Sequence, residues 1–210
     1  WDAAQSIDNV FAICTMDWGE YNNIHPVDNR TPGGRLGNWA LRQVYGMSCI
    51  PVYGPTVLGF RCDEGGRVRL FFRYAHGLHF SGTTHDSFGD EFAKSLPSLV
   101  RLPDRSGFEL AGADGVFQPA YAAISVDCDI DDLVNAKVNV VDYNATEFGI
   151  PINSRSIGTI PLATPDVPAP VMLRFAWRSW GAAPLFNDNN LPAHPFKLDL
   201  TDHTDSDHAE

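Results

Sequence analysis

Around Gly46 the texture of the chain changes, and that change limits what it can fold into. Before it, residues 9 to 16, NVFAICTM, form a short continuous apolar run of the kind a buried parallel strand carries. A polar, turn-prone stretch follows, DWGEYNNIHPVDNR. Thr31 then offers an N-cap oxygen and Pro32 suits the first helical position. Leu36, Ala40, Leu41 and Val44 recur at helical spacing, and Gly46 ends the pattern. Gly33, Gly34 and Gly37 weaken this helix, so packing must hold it. Strand, loop and helix together read as one terminal piece of an α/β layer fold.

After Gly46, Gly and Pro punctuate the chain every 8 to 15 residues, and β-branched and aromatic residues dominate. In RVRLFFRY, Val68, Leu70, Phe72 and Tyr74 alternate with Arg67, Arg69, Phe71 and Arg73, giving one apolar and one largely cationic face. In VMLRFAW, Val171, Leu173, Phe175 and Trp177 share a face, with Met172, Arg174 and Ala176 on the other. QPAYAAISV and KVNVVDY are further strand candidates. The expected fold is therefore mainly β: an antiparallel, jelly-roll-like sandwich preceded by a strand-loop-helix piece. Residues 1–46 are assigned to that α/β piece, 47–200 to the sandwich, and 201–210 to an acidic disordered tail. Residues 83 to 98 read as a longer loop.

Fifteen basic against 26 acidic residues leave a formal charge of −11, which opposes binding to phosphate backbones or anionic membranes. No apolar run approaches the ~20 residues of a membrane-spanning helix. The first residue is Trp1, and neither a basic nor an apolar leader region precedes the first strand, so the chain is expected to begin inside a longer protein or after processing. Cys14, Cys49, Cys62 and Cys128 contain no CxxC pair, which argues against zinc and leaves free thiols or one or two bridges as alternatives. Asn29 and Asn144 begin sequons, relevant only in a eukaryotic secretory setting.

The loop from Asp17 to Pro26 is the place for chemistry, because open α/β sheets set their sites at the carboxyl ends of strands. His25 lies there with Asp17 and Glu20 upstream. A carboxylate-paired imidazole can act as a general base toward a hydroxyl, whereas a surface loop His beside a helix start does nothing of the kind. His76, His79 and His85, and the acidic stretch DCDIDD at 127 to 132, fit metal sites poorly. The histidines straddle a bend at Gly77, and the acidic stretch lacks the turn glycine and the twelfth-position glutamate of a calcium loop. No metal is assigned.

Three segments carry a family resemblance. The first has Asp17, Gly19-Glu20-Tyr21, Ile24-His25-Pro26, Arg35-Leu36 and Tyr45-Gly46; the second is SGFELAGADGVFQPAYAAI; the third is MLRFAWRSWGAAPLFNDNNLPAHPFKLD. In this order, over Asp17 to Leu198, they resemble the C-terminal portion of the sialate O-acetylesterase family, a branch of the SGNH hydrolases. The resemblance implies a serine esterase that removes acetyl groups from sugar hydroxyls, with His25 as the catalytic His and no cofactor. The resemblance favours a secreted, periplasmic or lysosomal setting. Most SGNH hydrolases place Asp three residues before this His; here Asn22 stands there, so Asp17 or Glu20 becomes the candidate acid. No nucleophile elbow occurs: neither Ser48 nor Ser87 lies at a strand-to-helix turn. The Ser is therefore expected on a missing N-terminal segment, the partner of this chain beside the O-acetylated sugar, and the chain alone is expected to be inactive. The readings from other classes are a non-catalytic carbohydrate-binding or structural β-sandwich with a vestigial α/β piece, and a deacetylase acting on plant cell-wall sugars. Within the carbohydrate readings, Arg67, Arg69, Arg73 and Arg174 either hold a sugar carboxylate or pair with acids of the chain, and Trp177 and Trp180 either stack on a sugar or pack in the core.

Overall fold

A computed structural model describes residues 4, 6–20, 23–81, 100–101, 106–125, 139–140, 157–179, 183 and 185–201. The expected features at 83–98, 127–132, Cys128, Trp180 and 202–210 lie outside these residues, as do Tyr21 and Asn22. Helix α1 spans Arg30–Gln43. It starts two residues earlier than the Thr31 signal suggests, with Asn29 at the N-cap position, and Gly46 follows with φ 70°.

Apart from helical backbone at Ala4 and Ser6, the other regular structure among the described residues is β, and every described strand pair is antiparallel. The strands are β1 (Thr56–Asp63), β2 (Arg67–Arg73), β3 (His79–Phe80), β4 (Val100–Arg101), β5 (Phe108–Ala111), β6 (Phe117–Pro119), β7 (Tyr121–Ala123), β8 (Asn139–Val140), β9 (Gly158–Ala163), β10 (Met172–Phe175), β11 (Leu185–Phe186) and β12 (Phe196–Asp199). One sheet has the order β4-β7-β9-β2-β1-β8; a second has β12-β10-β5-β6; β11 and β3 form a small third. Val68, Leu70 and Phe72 from the first sheet and Phe108, Leu110, Leu173 and Phe175 from the second are all fully buried in one cluster. Two sheets sharing one apolar interior make a sandwich, held chiefly by burial of these aliphatic and phenyl groups.

Two expectations are corrected, and one is filled in. Residues 9 to 16 join no ladder among the described residues; Val10 and Phe11 are 39% and 38% exposed while Cys14 is buried. A parallel strand exists only through hydrogen bonds to neighbours, and no described strand runs beside this one. Next, the second face of β2 is not simply solvated. Phe71 and Arg73 are both buried, and the linker 51–55 reaches this end of the strand: Tyr53 stacks on Tyr74 at 4.5 Å and Arg73 lies over the Tyr74 ring. Tyr74 itself has φ 54° and leaves the strand. Finally, Trp177 is 52% exposed rather than in the core, because Ala176 (φ 50°) ends the alternation after Phe175.

The α/β piece is tied to the sandwich by aromatic rings and by one amide. Phe11 stacks on Trp39 at 5.0 Å, Trp39 meets Tyr53 edge-on at 5.1 Å, and Tyr53 stacks on Tyr74. Asn187, 2% exposed, donates to the carbonyls of Tyr53 (2.9 Å) and Tyr74 (3.1 Å) and accepts from the amides of Asn189 and Leu191. Gly54 lies so close to this turn that a β-carbon there would sit 2.0 Å from the Pro192 carbonyl oxygen.

Candidate functional site

His25 sits on an exposed loop between the apolar run and α1. Glu20 shapes that loop: one carboxylate oxygen accepts the Val27 amide at 3.0 Å, and the other accepts the Asn23 side chain at 2.8 Å. Asn23 in turn accepts the backbone amide of His25 at 2.9 Å. This reciprocal use of Asx and Glu oxygens by nearby amides fixes a turn that has no sheet to hold it. The imidazole makes no hydrogen bond among the described residues. Its neighbours in sequence, Ile24 and Val27, are 91% and 88% exposed.

Asp17 is engaged elsewhere. Both its oxygens accept from the Arg35 guanidinium, at 2.6 and 2.7 Å, and the two side chains are only 12% and 11% exposed. Arg35 also donates to the Cys14 carbonyl at 2.5 Å, so the pair fastens α1 to the end of the apolar run. Of the two carboxylates considered for His25, the structure thus brings Glu20 onto the histidine's own loop and commits Asp17 to an arginine.

A cleft opens beside this ion pair, between the α/β piece and the sandwich, lined by Cys14, Arg35, Asn38, Val52, Pro192 and His194 among others. A cysteine and a histidine in one cleft suggest nucleophilic chemistry, but their electrostatics oppose it. Burial pushes the Cys14 thiol up to about 11, and its Sγ donates to the Ala193 carbonyl at 3.4 Å. Burial, with the nearby Arg35 cation, pulls His194 down to about 4, so its imidazole is neutral at physiological pH. Cys14, Cys49 and Cys62 are free thiols.

Of the remaining candidates, Arg69, Arg174 and His76 form ion pairs. Arg61 and Arg69 share Asp63 at 2.7 and 3.1 Å, and these two guanidinium groups hold its carboxyl below the usual range against the opposing effect of burial. Arg174 and Arg178 share Glu109, each at 2.7 Å. His76 Nδ1 donates to an Asp188 carboxylate oxygen at 2.5 Å on an exposed corner. No cluster of three or more metal-ligating side chains occurs among the described residues. The sequence reading missed the Asp17–Arg35 pair, His194 and the Asn187 hub. Arg35, Asn187 and His194 all lie in the motif segments, which was the available signal.

No family model matches this chain, and no curated protein matches it. Among solved structures it resembles the crystal structure of a carbohydrate acetylesterase from Xanthomonas citri, with a TM-score of 0.56 and 24% identity. The likeness covers 87% of this chain and 31% of the other, so the chain spans about a third of that protein's length. At this identity the likeness establishes shared architecture, and the mainly β fold stands on it.

Proposed function

We propose that this chain is the C-terminal part of a carbohydrate esterase and supplies His25 to a Ser carried on a preceding segment. The single observation that carries the reading is where apolar surface is left uncovered. Ten of the thirteen large apolar side chains that are well exposed among the described residues fall between Ile7 and Met47, on and around the His25 loop and α1. Contiguous exposed apolar surface marks a face that something covers. The unladdered run at 10–15 and the one-third span of the structural neighbour point the same way.

In this reading the Ser hydroxyl attacks the acetyl carbonyl while His25 takes its proton. The tetrahedral oxyanion collapses, and the sugar hydroxyl leaves with the proton that His25 returns. His25 then activates water, which releases acetate and regenerates Ser. Glu20 is the positioning carboxylate, through the turn that it fixes around His25. The finer reading, following the motif resemblance, is removal of O-acetyl groups from sialic acid or a related sugar.

The test is co-expression with the segment that precedes Trp1 in the gene, followed by acetate release from O-acetylated sialic acid and from acetylated xylan. A rate that appears only with both parts and disappears in His25→Ala supports the reading. Turnover by the present chain alone refutes it. A second reading, a sugar-binding β module with a vestigial α/β piece, is favoured by the imidazole's lack of a carboxylate partner among the described residues. Glycan binding without turnover in the assembled protein would decide for it.

A further inference from the structure

The outer face of the four-stranded sheet carries a feature that the esterase chemistry does not use. Leu198, Leu173 and Leu110 lie opposite one another across β12, β10 and β5, as do Phe196, Phe175 and Phe108; the leucines and Phe108 and Phe175 are core side chains. Between them in sequence, Lys197, Arg174 and Glu109 form a row across the same three strands. Alternation places that row on the opposite side of the sheet from the leucines.

Glu109 is the anchor of the row. Its side chain is 8% exposed, and its two oxygens each accept one N–H, from Arg174 Nε and from an Arg178 terminal nitrogen, both at 2.7 Å. One buried carboxylate thereby holds two guanidinium groups in place. The Arg174 guanidinium also lies 3.9 Å from the Phe117 ring centre, with the Lys197 ammonium 5.7 Å from the same ring. Among the described residues Arg178 has no other hydrogen-bond partner and is 51% exposed, which leaves donors of its planar fork to solvent. Trp177, adjacent to it on the turn made by Ala176, is 52% exposed. Among the described residues, the acids on this face beside the three cations are Glu109 and Asp199, and Asp199 accepts from Thr201. In a chain of net charge −11 this is a local reversal of sign.

We infer that this row is a binding site for a carboxylate-bearing sugar, with the carboxylate on Arg178 and a pyranose face against Trp177. A planar carboxylate matches the free edge of a guanidinium. The arginine is already held by Glu109, so little side-chain freedom is lost on binding. A long polyanion fits less well, because beyond the row it meets a strongly acidic surface. The inference rests on the reading of this chain as part of a carbohydrate-acting protein, but it uses a different face.

The experiment is titration of the full chain, followed by NMR, with three probes: the α-methyl glycoside of N-acetylneuraminic acid, a galacturonate trisaccharide, and neutral maltotriose. At least one acidic probe is expected to bind, about tenfold or more tighter than maltotriose, and more weakly as salt is raised. Which acidic probe binds separates a sialic from a uronic ligand. Trp177→Ala and Arg178→Ala, both at exposed positions, are expected to weaken binding about tenfold with unchanged circular dichroism. Absence of binding by both acidic probes up to about 20 mM overturns the inference. Equal binding of maltotriose, or full binding by both variants, does the same. His25→Ala is expected to bind normally, so loss of this site and loss of the esterase reading register in different measurements.

Discussion

Removing the carboxylate of Asp17 leaves the Arg35 guanidinium in a site only 11% exposed, with the Cys14 carbonyl as its remaining described partner. Two charge-assisted hydrogen bonds at 2.6 and 2.7 Å are lost together. Breaking a buried pair from one side costs about 3–5 kcal/mol, and the slight exposure here places Asp17→Ala near 3 kcal/mol. Arg35→Met costs a similar amount, since it strands the carboxylate instead. The double variant removes both charges, so it is expected to be about 2 kcal/mol more stable than the sum of the single changes. In urea, with a slope of about 2 kcal/mol/M for a chain this size, each single variant lowers the unfolding midpoint by roughly 1.5 M. A shift below about 0.2 M in Asp17→Ala would refute the reasoning. It would mean that water already solvates the pair and that Asp17 is available to another group, His25 included.

Further outcomes follow from the same structure. Asn187→Ala strands the Tyr53 and Tyr74 carbonyls and two turn amides at a fully covered position; a loss of about 3 kcal/mol in urea unfolding is expected, and a loss below about 1 kcal/mol would remove Asn187 from its role as a tie. His194 gives a pH signature. Its folded value, about 4, lies below the ordinary 6.5, so between these values the unfolded chain binds a proton that the folded chain does not. Its contribution is complete above 6.5 and is lost as pH falls toward about 4, roughly 3 kcal/mol in all. Wild type should therefore lose more stability than His194→Gln between neutral pH and the low end of that window, and parallel losses would contradict the assignment. Gly54→Ala forces a β-carbon against the Pro192 backbone, where no side chain can yield; a clear fall in melting temperature is expected, and an unchanged one would show that the 53–55 and 191–193 segments part easily.

The β part of the fold was legible because its signals are local. The alternation of Val68, Leu70 and Phe72 survives intact in β2, and Leu173 and Phe175 do the same in β10. Where the reading failed, a non-local partner or a backbone turn decided. Trp177 left the core because Ala176 took a left-handed conformation that alternation cannot announce. Tyr74 was stacked on by Tyr53, from a linker some 20 residues upstream. The run at 9–16 has the composition of a strand, but strand formation is decided by neighbours. At the candidate site, the sequence brought Asp17, Glu20 and His25 near one another along the chain. It carried no sign that Arg35, one helical turn into α1, competes for Asp17. Nor did it place His194, more than 150 residues away, beside that pair.

The stack of Phe11, Trp39, Tyr53 and Tyr74 has a practical consequence. Trp39, 6% exposed, is wedged at the join between the two parts of the chain, whereas Trp177 already stands in water. Indole emission moves to longer wavelength on hydration, so the molecule carries an internal optical gauge of whether its first fifty residues remain seated. Anything that settles on or peels away that leading portion registers in intrinsic fluorescence, without a dye or an added label.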